Sequence, residues 1–357
     1  MTKRLYLNLF TFSLLIFLFP GCEKNPAEIS LASDYKVAAI LDGVGDLTLI
    51  NPDGTDQTIV AQGLVDQVAW SPVSAQLVYA IRSPSIINHS DLYLLNVNTK
   101  KRQLLSNEEG FKNKPLFSPD GSKIVFFNTN FSDNKRDLSL VNSNGSNKEI
   151  LFKEPSHEYW MHVGWSNISD HFLIYKENRD DSSSIGKIYL LNVLDKTFEY
   201  LIDSSHPFLF SIDGNQWVYH NSRQGNNAIY ILDLSQKTNE EIFSNSQYGF
   251  SGVRWHPDGS RIVFAMKDSL GISSEIYQLD IDGTNLTQLT YRENENCVDP
   301  QYFPDGKRLI YQSRNILVGK SDLYILDLAG DETINMTQGS LTMSQGSYWA
   351  AVSLVRL

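Results

Sequence analysis

Seven histidines, a recurring set of basic residues and one thiol far from the N-terminus are the side chains best equipped for chemistry here. His157 and His162 bracket Glu158-Tyr159-Trp160-Met161, and His206 follows in Ser205-His206-Pro207. Two or three imidazoles brought together by neighbouring loops can hold a first-row metal at about 2 Å. The spacing departs from the helical zinc motif, because these histidines stand five apart rather than four and no helical pattern surrounds them. Local hydrogen bonding on loops accounts for the same residues without a metal. The expectation is therefore no resident cofactor.

A second set is cationic. Arg82, Arg179, Arg223, Lys267 and Arg314 each follow a recurring aromatic residue by 12 to 14 positions. Five such residues on one face would form a site for an anion or a glycan carboxylate, since guanidinium offers planar paired donors. Solvated loop charge, or pairing with a nearby Asp, is the plainer account. Asp280-Ile281-Asp282-Gly283-Thr284-Asn285 has the alternating carboxylates of a calcium loop but lacks its distal Glu, so a tight turn explains it better. Cys297 has no His arranged to activate it and reads as buried filler.

The whole-chain charge narrows the partners. A net charge of -11 gives no basic stripe for nucleic acid. It gives equally little attraction to anionic lipid, so membrane contact is expected through an N-terminal lipid only. Hydrophobic residues at 41% suffice for a packed core. Two cysteines exclude a disulfide framework.

The N-terminus has the parts of an export signal. Lys3 and Arg4 precede an apolar stretch from Leu5 to Phe19, and Pro20-Gly21 break it before Cys22. The stretch is short for a membrane-spanning helix. Leu18-Phe19-Pro20-Gly21-Cys22 resembles the bacterial lipobox, with Phe19 and Pro20 departing from the usual residues. That resemblance implies a signal peptide over residues 1–21 and lipidation of Cys22, with residues 22–34 as a polar tether.

Any of these candidates needs a scaffold, and the rest of the chain supplies one by repetition. Trp70, Phe117, Trp165, Phe210, Trp255, Tyr302 and Trp349 recur at intervals of 45 to 48 residues. Turns such as Ser118-Pro119-Asp120-Gly121, His256-Pro257-Asp258-Gly259 and Phe303-Pro304-Asp305-Gly306 follow them. Asp-Gly between apolar runs is a hairpin signal, because glycine accepts the positive φ of a tight turn. Further runs, such as Ile229-Tyr230-Ile231-Leu232 and Leu323-Tyr324-Ile325-Leu326, complete units of four short strands. One such sheet cannot bury both its faces, whereas radial stacking buries them all. The expected fold of residues 35–357 is all-β: a seven-bladed β-propeller of four-stranded antiparallel blades. Val37–Ile40 and the segment 348–354 should share one blade and close the ring.

These repeats resemble the TolB-like propeller repeat, a relative of WD-repeat blades. Trp255-His256-Pro257-Asp258-Gly259-Ser260-Arg261-Ile262-Val263-Phe264 and Ile276-Tyr277-Gln278-Leu279-Asp280-Ile281-Asp282-Gly283 match it best. The resemblance implies fold far more than activity, for similar propellers include interaction modules, gating domains of serine peptidases and oligogalacturonate lyases. TolB carries an α/β domain before its propeller, for which residues 22–35 leave no room. No Gly-x-Ser-x-Gly elbow of a hydrolase occurs. The leading expectation is a non-catalytic cell-envelope lipoprotein, periplasm-facing or at the outer membrane, whose propeller face binds an envelope protein or a glycan-derived ligand. The alternative is a metal-dependent lyase of the oligogalacturonate type.

Overall fold

A strand sandwiched between neighbouring sheets must be apolar on both sides, and the second strand of each repeat satisfies this. Leu77–Ala80, Ile124–Phe127, Phe172–Ile174 and Ile262–Ala265 have almost no exposed surface. In the computed structural model the described residues are 35–41, 45–132, 135–155, 158–166, 170–178, 180, 186–204, 209–211, 214–223, 226–268, 271–330, 333–337 and 354–356. They are all-β, with no helix among them. The expected signal peptide, Cys22 and tether lie outside the described residues.

The first sheet contains β1 (Tyr35–Leu41), β2 (Asp46–Ile50) and β3 (Thr58–Ala61). The second contains β4 (Val65–Trp70), β5 (Gln76–Arg82), β6 (Ser90–Asn96) and β7 (Arg102–Ser106). The third contains β8 (Phe111–Phe117), β9 (Lys123–Asn130), β10 (Lys135–Asn142) and β11 (Glu149–Lys153). The fourth contains β12 (Glu158–Trp165), β13 (His171–Asn178), β14 (Lys187–Asn192) and β15 (Phe198–Asp203). The fifth contains β16 (Leu209–Ser211), β17 (Gln216–Arg223), β18 (Asn226–Asp233) and β19 (Thr238–Asn245).

Two further sets follow: β20 (Phe250–Trp255), β21 (Arg261–Lys267), β22 (Ser274–Asp280) and β23 (Thr287–Gln288), then β24 (Glu295–Tyr302), β25 (Arg308–Asn315), β26 (Ser321–Asp327) and β27 (Thr333–Asn335). A single parallel pair, Ser274 opposite Asn296, joins these sets into one eight-stranded sheet. Lastly β28 (Leu354–Arg356) returns to the first sheet and pairs antiparallel with β1, Leu354 opposite Val37. The expected returning strand therefore overlaps β28 only at Leu354, and Trp349 lies outside the described residues.

Hydrophobic clusters form between successive sheets. Trp70 joins Ala38, Leu47 and Leu77 between the first two sheets. Phe117 packs with Val78 and Leu92, Trp165 with Phe127 and Leu138, Trp255 with Val218 and Ile229, and Tyr302 with Val263 and Ile276. These five recurring aromatics thus pack between neighbouring sheets. Val37, Ala39 and Ile50 of the first sheet pack against Phe303, Ile310, Leu323 and Met336 of the last set. Burial falls outward, from the second strands to the outermost β15, whose side chains are half-buried or exposed. Tyr79 over Tyr93, Tyr219 over Tyr230 and Tyr311 over Tyr324 are stacked cross-strand pairs, repeated in three sheets.

The Asp-Gly turns form as expected. Gly121, Gly259 and Gly306 have φ of 68°, 73° and 67°, and each N–H donates to the carbonyl three residues back. Strands alternate in direction, so loops between second and third strands share one face with those entering the first strands. The Asp-Gly turns occupy the opposite face.

Candidate functional site

Five of the inner strands are interrupted by bulges. Asp66 in β4, Lys114-Pro115 in β8, Val163 in β12, Gly252-Val253 in β20 and Asp299-Pro300 in β24 each fall at a shift in register with the second strand. Such bulges re-aim side chains that a regular pleat would direct into a sheet interface. Lys114, Gly252 and Asp299 adopt φ of 51°, 62° and 51°. Gly252 is required by close approach as well: a Cβ there would lie 3.1 Å from Pro300 Cδ and 3.2 Å from Asp299 Cα. Inner strands neighbour one another, β4 beside β8, β12 beside β16, and β16 and β24 beside β20.

The re-aimed groups are ionisable and poorly hydrated. Burial pushes the Asp299 carboxyl up to about 6 against the opposing pull of Arg254, and its Oδ2 is buried without a hydrogen-bond donor. Burial likewise takes Arg254 down to about 10, Asp299 opposing. Lys114 is held well below the usual lysine range by burial and by the Arg136 charge. Its backbone N–H donates to Gln67 Oε1 of the second sheet. Arg136 lies between the Phe127 and Tyr159 rings, at 4.3 and 5.0 Å, and pairs with the buried Glu154 at 3.3 Å. No sequence motif marks these residues. Charged residues within an inner strand, as in Phe111-Lys112-Asn113-Lys114-Pro115, are the available signal.

Of the five expected basic positions, Arg82 ends β5 with its guanidinium on the Asp66 carboxylate, Nε–Oδ1 2.8 Å and Nη2–Oδ1 2.6 Å, and 5.1 Å from the Phe111 ring. Burial raises the Asp66 pKa against Arg82's opposing pull. Lys267 and Arg314 are exposed at the ends of β21 and β25. Arg223 is the last residue of β17, described by its backbone position, and Arg179 lies outside the described residues.

The histidines divide similarly. His157 and His206 lie outside the described residues, and His162 is located by backbone alone, at the β12 bulge. Among the described residues no three His, Cys, Asp or Glu side chains group as a metal site. Cys297 is fully buried, its thiol pushed up to about 12 by that burial, and its Sγ sits 3.5 Å from Ser313 Oγ. Asp282 accepts from the Thr284 N–H and hydroxyl at 3.0 and 2.6 Å, so the calcium-like segment is a turn that uses its own carboxylate.

The face opposite the Asp-Gly turns carries another feature. Ile86 and Ile87 lie between β5 and β6, Phe131 between β9 and β10, Ile272 between β21 and β22, and Leu317 and Val318 between β25 and β26. Tyr291 precedes β24. Ile87 is 89% exposed, Tyr291 78% and Leu317 74%. Lys267 and Arg314 lie at the ends of the strands that lead into the loops of Ile272 and of Leu317 and Val318.

The β-propeller domain of the Trilobed protease from Pyrococcus furiosus superposes with a TM-score of 0.63 at 12% identity, over 85% of this chain and 94% of that one. Oligogalacturonate lyase from Vibrio parahaemolyticus gives 0.65 at 16%, over 85% and 92%. TolB from Acinetobacter baumannii gives 0.54 at 15%, over 90% and 83%. At these identities the likeness concerns the fold. No curated protein matches by sequence. The TolB beta propeller domain model matches residues 172–353, and the chain belongs to that family.

Proposed function

We propose that this chain is a non-catalytic lipoprotein of the cell envelope whose propeller binds a protein partner through the face bearing the exposed apolar loops. One observation carries this reading: Ile86, Ile87, Phe131, Ile272, Tyr291, Leu317 and Val318 all belong to loops of that face. Large apolar side chains held in water at loop tips cost solvation, which a protein surface recovers and a glycan does not. Membership of the TolB propeller family supports an envelope setting. The bulged inner strands would form the floor of the same face.

The reading includes a ring of seven four-stranded blades. Two observations support closure: β28 pairs with β1, and Val37 and Ala39 share a cluster with Phe303 and Ile310. It also includes lipidation at Cys22, with residues 22–34 as tether. Arg179, Arg223, Lys267, Arg314, His157, His162 and His206 would serve as polar contacts around the apolar tips, while Arg82 orders Asp66.

The test is crosslinking capture from intact envelopes, comparing the full chain with an Ile87→Asp/Leu317→Asp/Val318→Asp variant. Specific crosslinked proteins should be present with the first and absent with the second. An identical set from both would overturn the assignment. Release of unsaturated uronate from oligogalacturonate, read by absorbance, would put a lyase in its place. Cys22→Ser should abolish incorporation of labelled palmitate.

A further inference from the structure

The rim of the propeller carries a surface unrelated to the loop face. β3 is the outermost strand of the first sheet, and no strand among the described residues pairs with its outer edge. Such an edge leaves a row of backbone N–H and C=O groups available to another extended chain. A groove of about 580 Å³ runs beside it, lined by residues 58–62 on one side and by Leu95, Val97, Lys100 and Arg102 of the second sheet on the other. That volume is in the range of binding sites for small ligands and short peptides. Leu95 and Val97 are buried and give the groove an apolar floor, while Ile59 at 48% exposure stands at its wall.

The charge at the mouth is specific. Lys100-Lys101-Arg102 is the longest basic run in a sequence whose net charge is -11. Lys100 sits at φ 56° in a turn fixed by Thr99, whose N–H donates to Asn96 Oδ1 at 2.8 Å. The Arg102 guanidinium lies 5.9 Å from the Tyr93 ring, which holds it alongside the groove. Asp56 feels the Lys100 charge, and Lys36 engages its carboxylate at 2.6 Å. The lip therefore presents positive charge beside an open strand edge.

We infer that this groove binds an extended peptide segment bearing carboxylate side chains, which adds to β3 as a further strand. Backbone pairing supplies affinity, Leu95 and Val97 accept alternate apolar side chains, and Lys100 and Arg102 meet the carboxylates between them.

Fluorescence anisotropy tests this with the full chain in detergent micelles. The probes are a fluorescein-labelled octapeptide of alternating Glu and Val, the same peptide with Lys for Glu, and the Glu/Val peptide N-methylated at alternate residues. The Glu/Val probe should bind, and K100E/R102E should weaken it tenfold or more. Both side chains are exposed, so an unchanged thermal unfolding midpoint would confirm that this variant folds. The Lys/Val and N-methylated probes should not bind. Binding should be unaltered by the loop-face substitutions, which separates this site from the proposed partner face. Equal binding of the N-methylated probe, or of K100E/R102E, would overturn the inference. So would preference for phosphatidylglycerol vesicles over the Glu/Val peptide.

Discussion

Asp233, at the end of β18, and Asp299, in the β24 bulge, are the same residue under opposite treatment. The turn after Asp233 folds its own donors back: Ser235 N–H at 2.8 Å and hydroxyl at 2.6 Å, Gln236 N–H at 2.9 Å, and Gln216 Nε2 at 3.1 Å. These bonds, the Ser235 hydroxyl foremost, pull its carboxyl to about 2. At Asp299 one carboxylate oxygen, Oδ2, is buried without a donor, and desolvation raises the carboxyl to about 6. One region spends its charge on holding a turn; the other holds charge in reserve where inner strands meet. A carboxylate satisfied by its own turn is structural. An unsatisfied one on a bulged inner strand is the kind of group a binding face retains at a cost in stability.

The contrast can be broken at four points. Gly252→Val forces a branched side chain into a positive φ and against Pro300, and should cost about 3 kcal/mol or more. Denaturant unfolding would read this, and an unchanged midpoint would mean that the inner strands are not so closely packed. Asp233→Ala removes four hydrogen bonds and should cost about 2 kcal/mol at pH 7. With a folded pKa below the ordinary 3.8, its contribution is present above pH 4 and fades as pH falls towards 2, so wild type and variant should converge in acid.

Asp299→Asn should act in the opposite sense. A folded pKa above 3.8 means that folding favours the protonated carboxyl. The benefit is present below pH 4 and is lost as pH rises through 6. The variant should gain about 1–2 kcal/mol at pH 7.5 and nothing at pH 4. A destabilised variant at pH 7.5 would show that Arg254 depends on the charge. Leu317→Asp/Val318→Asp should alter stability by less than about 0.5 kcal/mol, because exposed tips bury nothing in the free protein, while abolishing crosslinked partners. A large stability loss would place those side chains in a core.

The repeating elements were legible because their cause is local. Asp-Gly at a turn, an aromatic before it and a doubly buried apolar run after it each report a constraint acting within a few residues, and Trp165-Ser166 to Ile174 shows that even a repeat lacking Asp-Gly forms the same strands. The Asp280–Asn285 segment was legible as a turn for the same reason. Less of the candidate site could be read. Lys267 and Arg314 lie within the last residues of their strands and are exposed. That Arg82 would meet Asp66, sixteen residues earlier, depends on the register of β4 with β5 and on the bulge at Asp66 itself. Lys114, Arg254 and Asp299 carried no motif, and the groove beside β3 draws its two walls from separate sheets.

Composition and repeat spacing by themselves determined an all-β fold of short antiparallel strands, where turns such as those at Gly121, Gly259 and Gly306 would fall, and that Trp70, Phe117, Trp165, Trp255 and Tyr302 would be buried. Those outcomes follow from side-chain period, positive φ and apolar area, which a short stretch of chain specifies alone. Only the tertiary structure decided which charges lose their water, which are neutralised, and which surfaces lie open. Hydration and pairing are properties of what the rest of the fold brings within a few ångströms.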